Sequence, residues 1–158
     1  FLLDDFINDI EAFVNNSLND RPVKVQFEKV RPLPKVINND RIKIYQIITS
    51  IIENALKFTD KGSISIKFSS LNNRICFEIK DTGIGIEEEQ LKNIFKKFIQ
   101  IDGTSSRKYG GAGLGLALAS KLTKQLNGEI NVKSKLNEGT IFTVILPVDL
   151  SDYLHSTQ

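Results

Sequence analysis

Residues 42–59 constrain the fold of this chain more than any other stretch. At about 100° per residue, Ile44, Ile47, Ile48, Ile51, Ile52, Ala55, Leu56 and Phe58 spread over well more than half of a helix circumference. A helix of that kind has to be covered on several sides, and Asp40 is placed to cap its start. The narrow stripe that remains carries Gln46, Ser50, Glu53, Asn54 and Lys57. Ser50 lies four residues before Asn54, and Lys57 three after it, so these side chains meet. The stripe reads either as the solvated edge of a core helix or as an amide beside an ammonium, the pair that a magnesium-phosphate group needs.

Other segments supply the cover. Leu3, Phe6, Ile7, Ile10, Phe13, Val14 and Leu18 fall at helical spacing from Leu2 to Leu18, and Asn19, Asp20 and Pro22 end that helix. Val23 to Val30 alternates as a strand, and Pro32 and Pro34 make the following connection non-helical. Ser63 to Phe68 and Arg74 to Lys80 alternate likewise, which predicts an antiparallel hairpin around Leu71-Asn72-Asn73. Glu87 to Phe98, acidic at its start and apolar at Leu91, Ile94, Phe95 and Phe98, predicts one or two short helices with their aromatic residues in the core. Leu114, Leu118, Leu122 and Leu126 mark a further helix ended by Asn127-Gly128. Glu129 to Ser134 and Thr140 to Leu146 read as two last strands joined through Asn137-Glu138-Gly139.

Composition narrows the function classes. At 158 residues, with 41% apolar and 25% charged side chains, the chain is one ordinary domain with a continuous core. A net charge of +2 with scattered lysines argues against a nucleic-acid partner. Cys76 can form no internal disulfide and sits in an alternating run, as a small strand residue does, which fits a reducing compartment. No apolar run approaches the roughly 20 residues that span a bilayer, and no signal-peptide pattern opens the chain. A chain that starts at Phe1 and contains no methionine reads as a fragment of something longer.

Two glycine-rich stretches carry the chemistry. Asp81 ends a strand, and Gly83 and Gly85 follow at alternate positions. Without Cβ atoms a ligand ring can approach that backbone closely, while the carboxylate can accept from an exocyclic amine; the alternative is a plain turn. Ile99 to Gly111 holds Gly103, Thr104, Ser105, Ser106, Arg107, Lys108 and Tyr109, either an ordinary surface loop or a lid whose Arg107 or Lys108 reaches a terminal phosphate. Gly110 to Gly115 then opens a helix, placing free backbone N–H groups and the positive end of the dipole at one spot. Leu116 stands where a dinucleotide fingerprint needs its third glycine, and no Gly-Lys-Ser/Thr ending makes a P-loop.

Asn54-Ala-Leu-Lys-Phe-Thr, Asp81-Thr-Gly-Ile-Gly-Ile, Ile94-Phe-Lys-Lys-Phe98, Arg107-Lys-Tyr-Gly-Gly-Ala-Gly-Leu-Gly-Leu116 and Glu138-Gly-Thr-Ile-Phe, in that order, resemble the N, G1, F, G2 and G3 boxes of sensor histidine kinases. The likeness runs from about Asp4 to Pro147, and the wording Ser106-Arg-Lys-Tyr-Gly-Gly is most similar to kinases of the hybrid type. It implies an α/β fold, a two-layer sandwich of the Bergerat type in which helices cover one face of a mixed, mainly antiparallel sheet. The catalytic ATP-binding domain would occupy residues 1–148 and a flexible tail residues 149–158.

The resemblance implies a role for each matching position. Asn54 would be the magnesium ligand and Lys57 a phosphate contact. Asp81 would bind the adenine amino group, with Gly83 and Gly85 giving the base room and Thr140 supporting that end. Arg107 and Lys108 would approach the γ-phosphate from the lid, and Gly111, Gly113, Leu114, Gly115 and Leu116 would line the phosphates. Asn54, Lys57 and Arg107 would thus carry catalysis, with ATP and Mg2+ as the bound species. Two positions depart from the pattern: Ser50 stands where histidine kinases usually have a second asparagine and related ATPases a water-activating glutamate, and the only histidine, His155, lies in the polar tail. The implied activity is therefore half of a two-component phosphotransfer reaction. The γ-phosphate would go to a histidine on a separate dimerisation and phosphoacceptor domain of a homodimeric parent, then to the receiver domain of a response regulator. This would be a cytoplasmic domain, whose parent could be a membrane-bound sensor. An ATPase clamp like those of gyrase B or heat-shock chaperones, and a regulatory ATP-binding module, are the alternatives.

Overall fold

The computed structural model describes residues 1–95 and 114–149. Helix α1 (Leu3–Leu18) and strand β1 (Val23–Lys29) precede the long helix α2 (Arg41–Phe58). Strands β2 (Gly62–Leu71) and β3 (Arg74–Asp81), the one-turn helix α3 (Glu88–Leu91), helix α4 (Leu114–Gln125) and strands β4 (Glu129–Lys135) and β5 (Gly139–Pro147) follow. The strands form one sheet in the order β1-β2-β3-β5-β4, parallel between β1 and β2 and antiparallel elsewhere.

Helix α2 is the buried helix that its composition demands. Ile44, Ile47, Ile48, Ile51, Ile52, Ala55 and Leu56 are all buried, and they share one core with Phe6, Ile7, Ile10 and Val14 of α1 and Leu116, Ala119 and Leu122 of α4. The sheet contributes alternate residues to it: Ile64, Ile66 and Phe68, then Ile75, Phe77 and Ile79, then Phe142, Val144 and Leu146. Phe77 meets Phe6 and Phe68 edge-on, at ring separations of 6.1 and 5.8 Å. The intervening residues of β2 and β3, such as Lys67 and Glu78, face away from the core and pair with each other across the strands at 3.4 Å.

Local signals explain most boundaries. The Asp40 carboxylate accepts from Lys43 N–H at 3.1 Å and starts α2 one residue earlier than its apolar pattern suggests. At the other end α2 stops at Phe58, with Thr59 already extended. The hairpin is longer than expected because Leu71 pairs with Arg74, which leaves a two-residue turn of Asn72 and Asn73, both at positive φ. Asparagine tolerates that backbone, and such turns match the twist of the strands they join. Helix α4 ends as expected: Gly128 N–H donates to Thr123 O and Asn127, at φ 56°, N–H to Lys124 O. Only one helical turn, Glu88–Leu91, forms among the described residues of the 87–98 segment, and Phe95 beyond it packs edge-on against Phe142. Among the described residues no helix is long and apolar enough to cross a membrane.

Candidate functional site

Strand β3 delivers Asp81 at its last position, in register with Thr140 of β5. Both continue the inward-facing alternation of their strands, and at 4% and 5% exposure they are polar residues at the margin of an apolar core. Asp81 Oδ1 accepts from Gly83 N–H at 2.9 Å. Burial pushes the Asp81 carboxyl above its ordinary 3.8, an effect partly offset by backbone N–H groups of Gly83 and Thr140. The folded chain therefore holds that proton at a pH where the unfolded chain has lost it. The stability this contributes is present below the ordinary aspartate value and is lost as pH rises through the raised one. A ligand N–H donor stabilises the ionised carboxylate instead. Adenosine, which has no phosphate to titrate, is expected to bind more weakly as pH falls through the raised Asp81 value, and Asp81→Asn, which cannot titrate there, is expected to lose that dependence. The same pH profile in wild type and Asp81→Asn in competition titrations would remove Asp81 from the ligand contact.

The loop after Asp81 is shaped by close backbone approaches. A Cβ on Gly83 would collide with the Phe58 carbonyl oxygen, and one on Gly85, at φ +72°, with that of Lys135. Ile84 N–H donates to Phe58 O at 3.1 Å, Asn137 N–H to Ile84 O at 2.7 Å, and Thr82 N–H to Ser63 O at 3.1 Å. The C-terminal end of α2 is held in turn by Arg21, whose guanidinium donates to the carbonyls of Leu56 at 2.5 Å and Thr59 at 2.9 Å. Beside Gly83 sits Thr59 Oγ1, the one buried side-chain oxygen without a hydrogen-bond partner among the described residues.

The polar stripe of α2 lies open where the apolar positions do not. Asn54 and Ser50 are partly exposed and Lys57 is exposed. The start of α4 crosses the stripe there, since a Cβ on Gly115 would stand 3.7 Å from Ser50 Cβ, an ordinary contact. Asn54 follows Ser50 by one turn, so the helix N-terminus and the amide share one side of α2. The Leu116 side chain is buried in the core, which leaves its backbone N–H as what it can offer a ligand. Arg107, Lys108, Gly111 and Gly113 lie outside the described residues, as does the side chain of Leu114.

The C-terminal end of α2 thus anchors a loop with a buried acceptor and bears the Lys57 ammonium, while the Asn54 amide lies about 6 Å and Ser50, under the start of α4, about 12 Å back along the axis from Phe58. The donors fit a nucleotide held lengthwise along α2. The neutral amide oxygen of Asn54 also suits a hard cation that keeps most of its ligands from phosphate and water.

Two residues of this arrangement, Arg21 and Ser134, carried no motif. Arg21 gave no local signal. Ser134 did: along β4, Ile130, Val132 and Ser134 share one face, and a hydroxyl in line with two apolar residues packed against the core marks an inward position that needs polar partners.

Residues 39–150 match the family described as histidine kinase-, DNA gyrase B- and HSP90-like ATPases. Among similar proteins, the peroxide stress-activated histidine kinase mak2 of Schizosaccharomyces pombe is 37% identical over 151 residues, which are 90% of this chain and 6% of that protein. The autoinducer 2 sensor kinase/phosphatase LuxQ of Vibrio vulnificus is 35% identical over 151 residues, 92% of this chain and 18% of that protein. The chain thus spans less than a fifth of either relative. Full-length ShkA, solved in complex with AMPPNP, superimposes with a TM-score of 0.73 at 30% identity, over 89% of this chain and 30% of that one. The nucleotide-free catalytic domain of the histidine kinase ThkA superimposes with a TM-score of 0.79, over 94% of this chain and 93% of that one; at 23% identity it bears on the fold alone.

Proposed function

The chain belongs to the family of histidine kinase-, DNA gyrase B- and HSP90-like ATPases, as the ATP-binding catalytic domain of a sensor histidine kinase, and from that premise we propose that it binds Mg·ATP along α2 and presents the γ-phosphate to a histidine on another domain of a longer, dimeric parent. The observation that carries this reading is the common support of both ends of the site by one helix. Phe58 O holds the Asp81 loop through Ile84, while Ser50 lies under Gly115.

Asp81 accepts the adenine amino group, and the bare backbone at Gly83 and Gly85 lets the loop close against Phe58 and Lys135, which holds Asp81 in place for the base. The Lys57 ammonium and the backbone N–H groups at the start of α4 take the phosphates, with Arg107 and Lys108 as the further cations that the sequence offers. Magnesium, when bound, neutralises phosphate charge, and the Asn54 amide oxygen would hold it. Phosphoryl transfer asks for positioning and charge neutralisation rather than covalent chemistry from the protein. The bond between the γ-phosphorus and the β,γ-bridging oxygen breaks, a P–N bond forms to the imidazole, and the imidazole proton leaves to solvent. The phosphohistidine then serves a receiver domain, in a cytoplasmic location. An ATPase clamp would need a general base for water near Ser50, and a serine hydroxyl cannot take that role unaided.

Calorimetric titration with ATP, with and without magnesium, tests the assignment of Asn54. Asn54→Ala is expected to weaken binding roughly tenfold in magnesium and by far less in chelator, the loss of one ligand oxygen. Equal losses in both conditions would remove Asn54 from the metal. In the parent, acid-labile phosphate on histidine with little free phosphate released is the expected product, and steady phosphate release without phosphohistidine would favour the clamp.

A further inference from the structure

Ser134 Oγ lies at the junction of three segments. Ile86 N–H, from the loop after Asp81, donates to it at 2.8 Å; it donates to Gly139 O at 2.9 Å; and Thr140 Oγ1 stands 2.8 Å away. A serine hydroxyl has one hydrogen and two lone pairs. The amide of Ile86 can only donate and the carbonyl of Gly139 can only accept, so the first occupies a lone pair and the second takes the hydrogen. The remaining contact is then settled: the Thr140 hydroxyl donates its single hydrogen to Ser134.

We infer that Ser134 is a specificity-determining positioning residue, which turns the Thr140 hydroxyl into a pure acceptor toward the ligand. This rests on the reading of Asp81 and Thr140 as the base-binding end. Thr140 is the register partner of Asp81, and the ionised carboxylate is likewise acceptor-only. Two acceptors turned toward the six-position select a substituent with two N–H hydrogens. A 6-amino group satisfies both, whereas a 6-oxo group turns its own lone pairs toward theirs. Without the Ser134 hydroxyl the Thr140 hydrogen is free to rotate and meet that carbonyl. The same hydroxyl ties the loop carrying Gly83 and Gly85 to the β4–β5 turn, so loop position and base polarity depend on one atom.

The test compares ATP with ITP, which differs at the six-position of the base, by calorimetric titration of wild type, Ser134→Ala and Ser134→Thr. Ser134→Ala is expected to narrow the preference for ATP about tenfold, one hydrogen bond's worth, and Ser134→Thr to restore it. Amide hydrogen exchange at Ile86 should quicken in the alanine variant and return with threonine. An unchanged preference in Ser134→Ala overturns the inference even if both affinities fall, because that is what a structural role alone would give. Should the alanine variant fail to fold, Ser134→Cys, which keeps the bulk but forms only weak hydrogen bonds, gives the same reading. Wild type that binds neither nucleotide would overturn the base-site reading itself, whereas wild type that prefers ATP confines any failure to Ser134.

Discussion

Gly85→Ala is expected to lower the melting temperature of this chain by roughly 10 °C and to abolish saturable ATP binding. Gly85 sits at φ +72°, and its missing Cβ faces the backbone carbonyl of Lys135, with Leu136 Cα close behind. A methyl group there brings a left-handed conformational cost of about 1 kcal/mol together with a clash against backbone, which cannot rotate away. About 3 kcal/mol in total is reasonable for such a site, and near 150 residues each kcal/mol moves the melting temperature by about 3 °C. To relieve the clash the loop would have to leave Lys135, breaking the bonds from Asn137 N–H to Ile84 O and from Ile86 N–H to Ser134. Gly115→Ala is the control. Its Cβ would meet Ser50 at an ordinary 3.7 Å, inside a helix that alanine favours, so stability should hold. A Gly85→Ala melting temperature within about 2 °C of wild type would show that the loop is not held as described.

Asp81→Asn should separate stability from binding. Burial disfavours the ionised form of Asp81, so at neutral pH the ligand-free fold carries a strained charge, and a neutral amide relieves it. The melting temperature of the free chain is expected to hold or rise slightly. ATP affinity should fall about 10- to 100-fold, the range for one charge-assisted hydrogen bond, and the preference for ATP over GTP should be lost with it. Undiminished selectivity would take Asp81 out of base recognition. A large loss of stability would mean that the carboxylate serves the fold instead.

Much of the frame was legible along the chain because it depends on neighbours in sequence. The apolar circumference of α2, the alternation of β2 and β3, the Asp40 cap and the Asn127-Gly128 stop are set by side chains within one or two turns of each other. The positions of Asp81, Gly83 and Gly85 were visible for the same reason, since an acid and two glycines at a strand end are a local pattern. The stripe of α2 was ambiguous on its own, because a solvated edge and a ligand face have the same composition. The start of α4 over Ser50, which only the tertiary structure supplies, supports the ligand-face reading that we propose.

What the sequence by itself determined, then, is which residues are helical, which strands alternate and where the backbone must be bare. The tertiary structure alone decided that β1 runs parallel to β2, that β5 enters between β3 and β4, and that Asp81 consequently faces Thr140. It also decided that Ser134, 48 residues from Ile86, would hold that loop, and that Arg21, 35 residues from Leu56, would cap α2. The reason is physical. Periodicity fixes which face of an element is apolar, whereas strand order and long-range hydrogen bonds depend on how several such faces bury one another at once, and no single segment carries that information.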